Sequence, residues 1–245
     1  MRTLVAVASL AALLAACGDG SAPAGDPAAP STAAPSPATG RAVPSPGETP
    51  GPGRPSAPPA DGEQGGAADW RRVASAADAS ALGRLDQAWR LGRAEAEDKG
   101  FAAQVEALGP LVDPNAGQTG RLQPAPGPYR CRTIKLGTNN PGGPGYLEYP
   151  WFRCAIELTP GGDLVLTKTT GSQRTRGLLY PDTDRRLVFV GAQAWGMEET
   201  TFPRYGEQTV RDQVGVFERI GSNRWRLVIP WPKVDSKLEI LELTR

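Results

Sequence analysis

Apolar residues recur at every second position through the last half of this chain, and at every third or fourth position in a shorter stretch before it. Phe152, Cys154, Ile156 and Leu158 share one face of an extended segment, with Arg153 and Glu157 on the other. Leu164 to Thr169, Arg176 to Tyr180, Leu187 to Val190, Val214 to Ile220, Trp225 to Ile229 and Leu238 to Leu243 read likewise. Gly161-Gly162, Asp182-Thr183-Asp184 and Gly221-Ser222-Asn223 supply turns between them. Seven to nine short strands with no long helix between them indicate an antiparallel barrel or a sandwich.

Ahead of the strands the period is helical. Asp69 is placed to cap a helix from Trp70 to Ala77, and Ser80 to cap a second carrying Leu82, Leu85, Trp89 and Ala96 on one face. Gly100 should end it, and Gly109-Pro110 should stop a further turn from Ala102 to Leu108. Trp70 and Trp89 then dock this element on the sheet as core anchors. The expected class is α+β, a short helical element followed by a mainly antiparallel β-barrel, lipocalin-like in shape. A two-sheet β-sandwich is the alternative.

The N-terminal region follows neither period. Arg2 precedes an apolar run from Leu4 to Leu14, which ends in Leu14-Ala15-Ala16-Cys17. That is the form of a secretory signal, and its apolar run falls well short of the roughly 20 residues needed to span a bilayer. A cysteine directly after the small residues resembles the bacterial lipobox, where the thiol is acylated and becomes the new N-terminus. From Gly18 to Gly66 the composition is almost wholly Pro, Ala, Gly, Ser and Thr, with 12 of the 25 prolines and one large aliphatic residue, Val43. Such a segment cannot bury enough apolar surface to offset chain ordering. It reads as a tether with ends about 40 Å apart. The expected organisation is a lipoprotein signal peptide over 1–16, lipidated Cys17 and tether over 17–68, a helical element over 69–112 and an antiparallel β-domain over 113–245.

Composition narrows the chemistry. The chain has no histidine, so triad hydrolysis and His-based metal sites are excluded. Removing Arg2 with the signal leaves 27 − 1 = 26 basic residues against 26 acidic ones, a balance with no field for nucleic acid and no polybasic membrane patch. With Cys17 acylated, Cys131 and Cys154 are left outside the reducing cytosol, where pairing is expected. Closing that loop would stabilise the fold by about 3 kcal/mol. Free or metal-bound thiols are the alternative, although two thiolates without histidine make a poor zinc site. No cofactor and no metal is expected.

Gly127-Pro128-Tyr129-Arg130-Cys131-Arg132, Lys135-Leu136-Gly137 and Tyr149-Pro150-Trp151-Phe152-Arg153-Cys154 resemble motifs of an uncharacterised bacterial family. So do Lys168 to Arg174, Ile220-Gly221 and Arg224-Trp225-Arg226-Leu227-Val228-Ile229-Pro230. The family is the domain of unknown function 4893, and the likeness spans about residues 69 to 245 in the same order. Thr138 to Gly145 departs from it as a loop insertion. The resemblance implies exported bacterial proteins of one fold, and no activity.

Lys168 to Arg176 is the densest polar cluster beside a strand. Lys168, Ser172, Gln173 and Arg174 together could hold a carboxylate or phosphate. The competing reading is a hairpin corner whose polar groups bond nearby backbone. Lys168-Thr169-Thr170-Gly171 is not the Lys-Thr-Gly of penicillin-binding enzymes, since the mature chain has no Ser-x-x-Lys. The glycines from Gly137 to Gly145 are not a phosphate cradle, because no Gly-Lys-Ser/Thr follows. Arg130, Arg132 and Arg153 read as a solvated face balanced by Glu148 and Glu157. The stretch from Gly191 to Gln213, with Trp195, Phe202, Tyr205, Arg211 and Asp212, is a long loop or a plug.

The resulting expectation is a bacterial envelope protein held by its lipid and facing the periplasm. Asp19 stands one place beyond the enterobacterial inner-membrane retention position, which favours the outer membrane. No catalytic residue is assigned. The domain is read as a non-catalytic module for an unknown protein or small ligand in the envelope, not for nucleic acid. The alternative is an envelope hydrolase using Lys168 and Ser172.

Overall fold

The computed structural model describes residues 69–245, all within the compact unit Pro55–Arg245. The signal segment, Cys17 and the tether lie outside the described residues. Asp69 caps only a 3₁₀ turn, Trp70–Arg72, by accepting from the Arg71 amide. Ser75 then caps α1 (Ala76–Gly83), its hydroxyl accepting from the Asp78 amide at 3.1 Å. Ser80 therefore lies inside α1 and caps nothing. The next helix, α2 (Leu85–Ala96), starts without a side-chain cap. Gly100, at φ 88°, bends the chain without ending the helical run, because a widened turn over Glu97–Phe101 carries it into α3 (Ala102–Ala107). The Gly109-Pro110 stop stands where the sequence puts it.

Nine strands follow: β1 (Gly127–Leu136), β2 (Tyr146–Glu148), β3 (Phe152–Leu158), β4 (Leu164–Lys168), β5 (Gln173–Pro181), β6 (Leu187–Trp195), β7 (Asp212–Gly221), β8 (Arg224–Pro230) and β9 (Leu238–Thr244). All neighbours are antiparallel, in the order β2-β1-β3-β4-β5-β6-β7-β8-β9, and β1 also pairs with β9. That last pairing, from Arg130↔Thr244 to Leu136↔Leu238, closes eight strands into a barrel and leaves β2 as an extra strand. A sandwich is thereby excluded. β1 is long enough to serve two neighbours along its other edge, with Gly127–Cys131 on β3 and Ile134–Leu136 on β2.

Much of the barrel wall is buried on both sides. The lumen holds Tyr129, Ile156, Leu166, Phe189, Phe217, Leu227 and Leu241. On the outside, Trp89, Val105 and Leu111 of the helical segment cover Ile134, Val216, Val228 and Ile240. Trp70 packs outside β4 to β7 against Val165, Leu178, Val190 and Val214. This double coverage explains why β6 and β9 are buried almost throughout instead of at alternate residues. Two close approaches need glycine. Gly177 and Gly191 face each other across β5 and β6, and a Cβ on either would lie 2.4 or 2.2 Å from a carbonyl oxygen of the opposite strand.

Cys131 and Cys154 form a disulfide on the luminal side, with Cα atoms 5.8 Å apart. It ties β1 to β3 just before β1 leaves that partner for β2.

Candidate functional site

Strand alternation continues inward past the apolar half of the lumen and there changes chemistry. In phase with Tyr129 and Cys131, β1 contributes Thr133 and Lys135. In the same way β4 contributes Lys168, β5 Gln173 and Thr175, β6 Gln193, β7 Gln213 and β9 Glu239. One end of the barrel is thus a polar mouth, bordered by the loops after β1, β4, β6 and β8.

Lys135 organises this mouth. Its buried ammonium donates to Gln173 Oε1 at 2.8 Å and to both Asp235 oxygens at 2.9 and 2.7 Å, with Glu239 at 3.6 Å. Burial works to lower its pKa, but Glu239 and Asp235 outweigh that and hold it above the ordinary lysine value. Thr175 donates to Gln213, and the Trp195 indole to Gln193 at 2.8 Å. The cavity left among Lys135, Gln173, Gln193, Gln213, Asp235 and Glu239 is about 10 Å³, room for one water. The mouth is therefore filled, unlike the open cup that a lipocalin-like outline suggests.

Lys168 differs from Lys135 in its company. Its ammonium has one polar contact, Thr133 Oγ1 at 3.4 Å, and sits 4.3 Å from the centre of the Phe152 ring. Burial pushes its pKa down to about 8, with Glu239 opposing and Lys135 adding to the fall.

The four residues of the Lys168–Arg174 cluster do not meet as one site. Lys168 and Gln173 point into the lumen, where Gln173 bonds Lys135. Ser172 lies exposed on the turn. Arg174 faces outward, where it donates to the Gly196 carbonyl at 3.2 Å and to the Glu199 carbonyl, and lies 5.3 Å from the Phe202 ring centre. It fastens the loop between β6 and β7. That loop spans 196–211, shorter than expected, because β6 runs on to Trp195. Tyr205 and Asp212 are drawn into another network. The Tyr205 hydroxyl donates to Asp78, which also pairs with Lys233 at 3.0 Å, fixing the loop against α1. Burial and the Asp78 hydrogen bond hold the Tyr205 hydroxyl up at about 12.

Sequence reasoning passed over Lys135, Glu239, Gln193 and Gln213. Their signal was a polar residue at an inward register position, visible only once each strand's inner face is known. Arg132 stacks on Trp151 at 4.9 Å and pairs with Glu242 at 2.6 Å and with Glu148. The glycine-rich loop after β1 is tied back by Lys99, which donates to the Gly143 carbonyl at 2.6 Å.

Among the described residues no group of three or more side chains is arranged to hold a metal, and no helix is long and apolar enough to cross a membrane. No curated protein and no solved structure matches the chain. A family model described as a domain of unknown function, DUF4893, matches residues 70–243, from the first turn of the helical segment to the penultimate residue of β9. The helices and the closed barrel together are the matched unit, and the chain belongs to the DUF4893 family.

Proposed function

We propose that this protein is an envelope lipoprotein, acylated at Cys17 and facing the periplasm from the outer membrane, whose barrel is a non-catalytic module for binding a partner protein. The observation that carries this reading is the filled lumen. The inward polar groups of the mouth are spent mainly on each other, and the space left among them admits one water, so the mouth itself offers a small ligand no chamber. Met197, Val210 and Val234 are exposed on the loops bordering the mouth, with Met197 at 77%. Exposed apolar side chains rimmed by charge suit a protein contact.

The hydrolase alternative has one observation in its favour, the lowered pKa of Lys168, which suits a general base. Against it, Ser172 is exposed on the turn, no hydrogen bond joins it to Lys168, and Lys168 does not line the cavity of the mouth.

The test places a photo-crosslinking residue at Val210 or Val234 in the native host. The expected result is one crosslinked protein common to both sites, lost in Met197→Asp. Native mass spectrometry showing a retained small molecule and no partner would overturn the reading. Anchoring is tested separately by fractionating Cys17→Ser, which should leave the membrane pellet because the neutral surface offers no second anchor.

A further inference from the structure

We propose that the end of the barrel opposite the mouth carries a phosphate-binding cleft formed by Arg121, Arg219 and Arg245. The three come from separate parts of the chain: the approach to β1, the luminal face of β7, and the residue after β9. They line one cleft of about 150 Å³ with the β7–β8 turn residues Ser222 and Asn223.

The cleft has a rigid aromatic floor. Tyr129 and Trp225 meet edge to face with ring centres 5.8 Å apart. The Tyr129 hydroxyl donates to the Ala125 carbonyl at 2.7 Å, and the Trp225 indole to the Leu122 carbonyl at 2.9 Å. Both polar tips are thereby used, so donors for a ligand must come from the arginines and the turn.

No side-chain carboxylate neutralises those arginines. Among the described residues none of the three lies within 4.0 Å of a carboxylate, and no acidic side chain lines the cleft. Arg219 is held by one bond, from Nη2 to the Thr119 carbonyl at 2.9 Å, and its buried Nε has no partner. Arg245 has no side-chain hydrogen bond to protein and is placed 5.6 Å from the centre of the Tyr129 ring. Three like charges around one small cleft repel each other, and a bound anion reverses the sign of that energy. One planar fork saturates a carboxylate, whereas several forks from different directions suit the tetrahedral, multiply charged phosphate group.

A second cleft adjoins the first, sharing Arg121 and Ala125, and has a volume of about 310 Å³. Its walls include Leu158, Leu164, Leu179, Pro126 and Pro181. Arg121, Gln123 and Asp163 are its polar residues, so the phosphate is either free or the headgroup of an amphiphile whose chain lies along the leucines and prolines of this neighbour. The cleft is at the far end from the mouth, so its fate in experiment is separate from that of the partner reading.

The test uses the full chain bearing Cys17→Ser, titrated with inorganic phosphate by calorimetry and by tryptophan fluorescence. Saturable binding is expected, weakened at least tenfold by Arg245→Gln and by Arg121→Gln with unchanged melting temperature, since neither side chain bonds the fold. Arg130→Gln, outside the cleft, should bind as the parent does. No saturable signal at roughly 10 mM phosphate, where even millimolar affinity would register, would overturn the proposal. Equal weakening by Arg130→Gln, or none by the cleft variants, would also overturn it. Octyl phosphate, used below micelle formation, separates the sources. Tighter binding than phosphate, abolished by Leu158→Asn, supports the cleft with an amphiphile headgroup, and equal binding supports it with free phosphate.

Discussion

Replacing Lys168 by methionine should make the protein more stable at neutral pH, which is the reverse of what deleting a buried hydrogen-bonding group usually does. The folded-state pKa of about 8 lies 10.5 − 8 = 2.5 below the ordinary lysine value, and burial is the leading cause. At 1.36 kcal/mol per pH step, holding that ammonium in the barrel costs about 3 kcal/mol wherever both states keep the proton. Below pH 8 the native state carries this cost in full. Between about 8 and 10.5 the unfolded chain still binds a proton that the native lysine has released, so stability rises with pH; above 10.5 the cost is gone. Methionine matches the stem, and its thioether contact with Phe152 offsets part of the lost cation contact, which is worth about 1 kcal/mol. The net gain at pH 7 is about 2 kcal/mol, or roughly 4–8 °C in melting temperature for a domain of this size. Calorimetric melts of both proteins from pH 7 to 10.5 measure it, the gain shrinking as the pH rises. A variant less stable at pH 7, or a difference independent of pH, would refute the reasoning.

Four other perturbations read the scaffold. Replacing Cys131 and Cys154 by alanine should lower stability by about 2–5 kcal/mol in chemical denaturation, and unchanged midpoints would mean the bridge does not constrain the unfolded chain. Arg226→Ala should cost about 3–5 kcal/mol, because this fully buried guanidinium pairs with Glu218 at 2.7 Å and bonds the Leu111 and Asp113 carbonyls at 2.9 and 2.7 Å. Arg226→Lys should not restore the loss, since a single ammonium cannot reach both groups in the plane of a fork; a lysine variant with the parent's melting temperature would contradict this. Arg174→Ala should cost about 1–3 kcal/mol and expose the 196–211 loop to protease, whereas parent-like cleavage would show that the loop is held by other contacts.

Local chemistry decided a large part of this protein. Period-two alternation located the strand cores, because one barrel face is apolar wherever the other meets water, as in Phe152 to Leu158. Glycine, proline and Asp-rich turns punctuated them, and the two cysteines expected to pair do so, on neighbouring strands. Helix starts were read less well, since Ser75 and Ser80 are equally good caps by composition and only the docking of Trp70 and the Tyr205–Asp78–Ser75 contacts select the first. The barrel was expected from strand number and spacing, but the pairing that closes it was beyond local reading, because β1 and β9 join residues more than a hundred positions apart. The candidate sites were dispersed or assembled for the same reason. Consecutive residues of a strand face opposite ways, so Gln173 and Arg174 part company, while Lys135 and Lys168 come to share one lumen. Arg226, one place from luminal Trp225, alternates outward. It is buried because the helical segment lies over it, and that covering belongs to the tertiary fold alone.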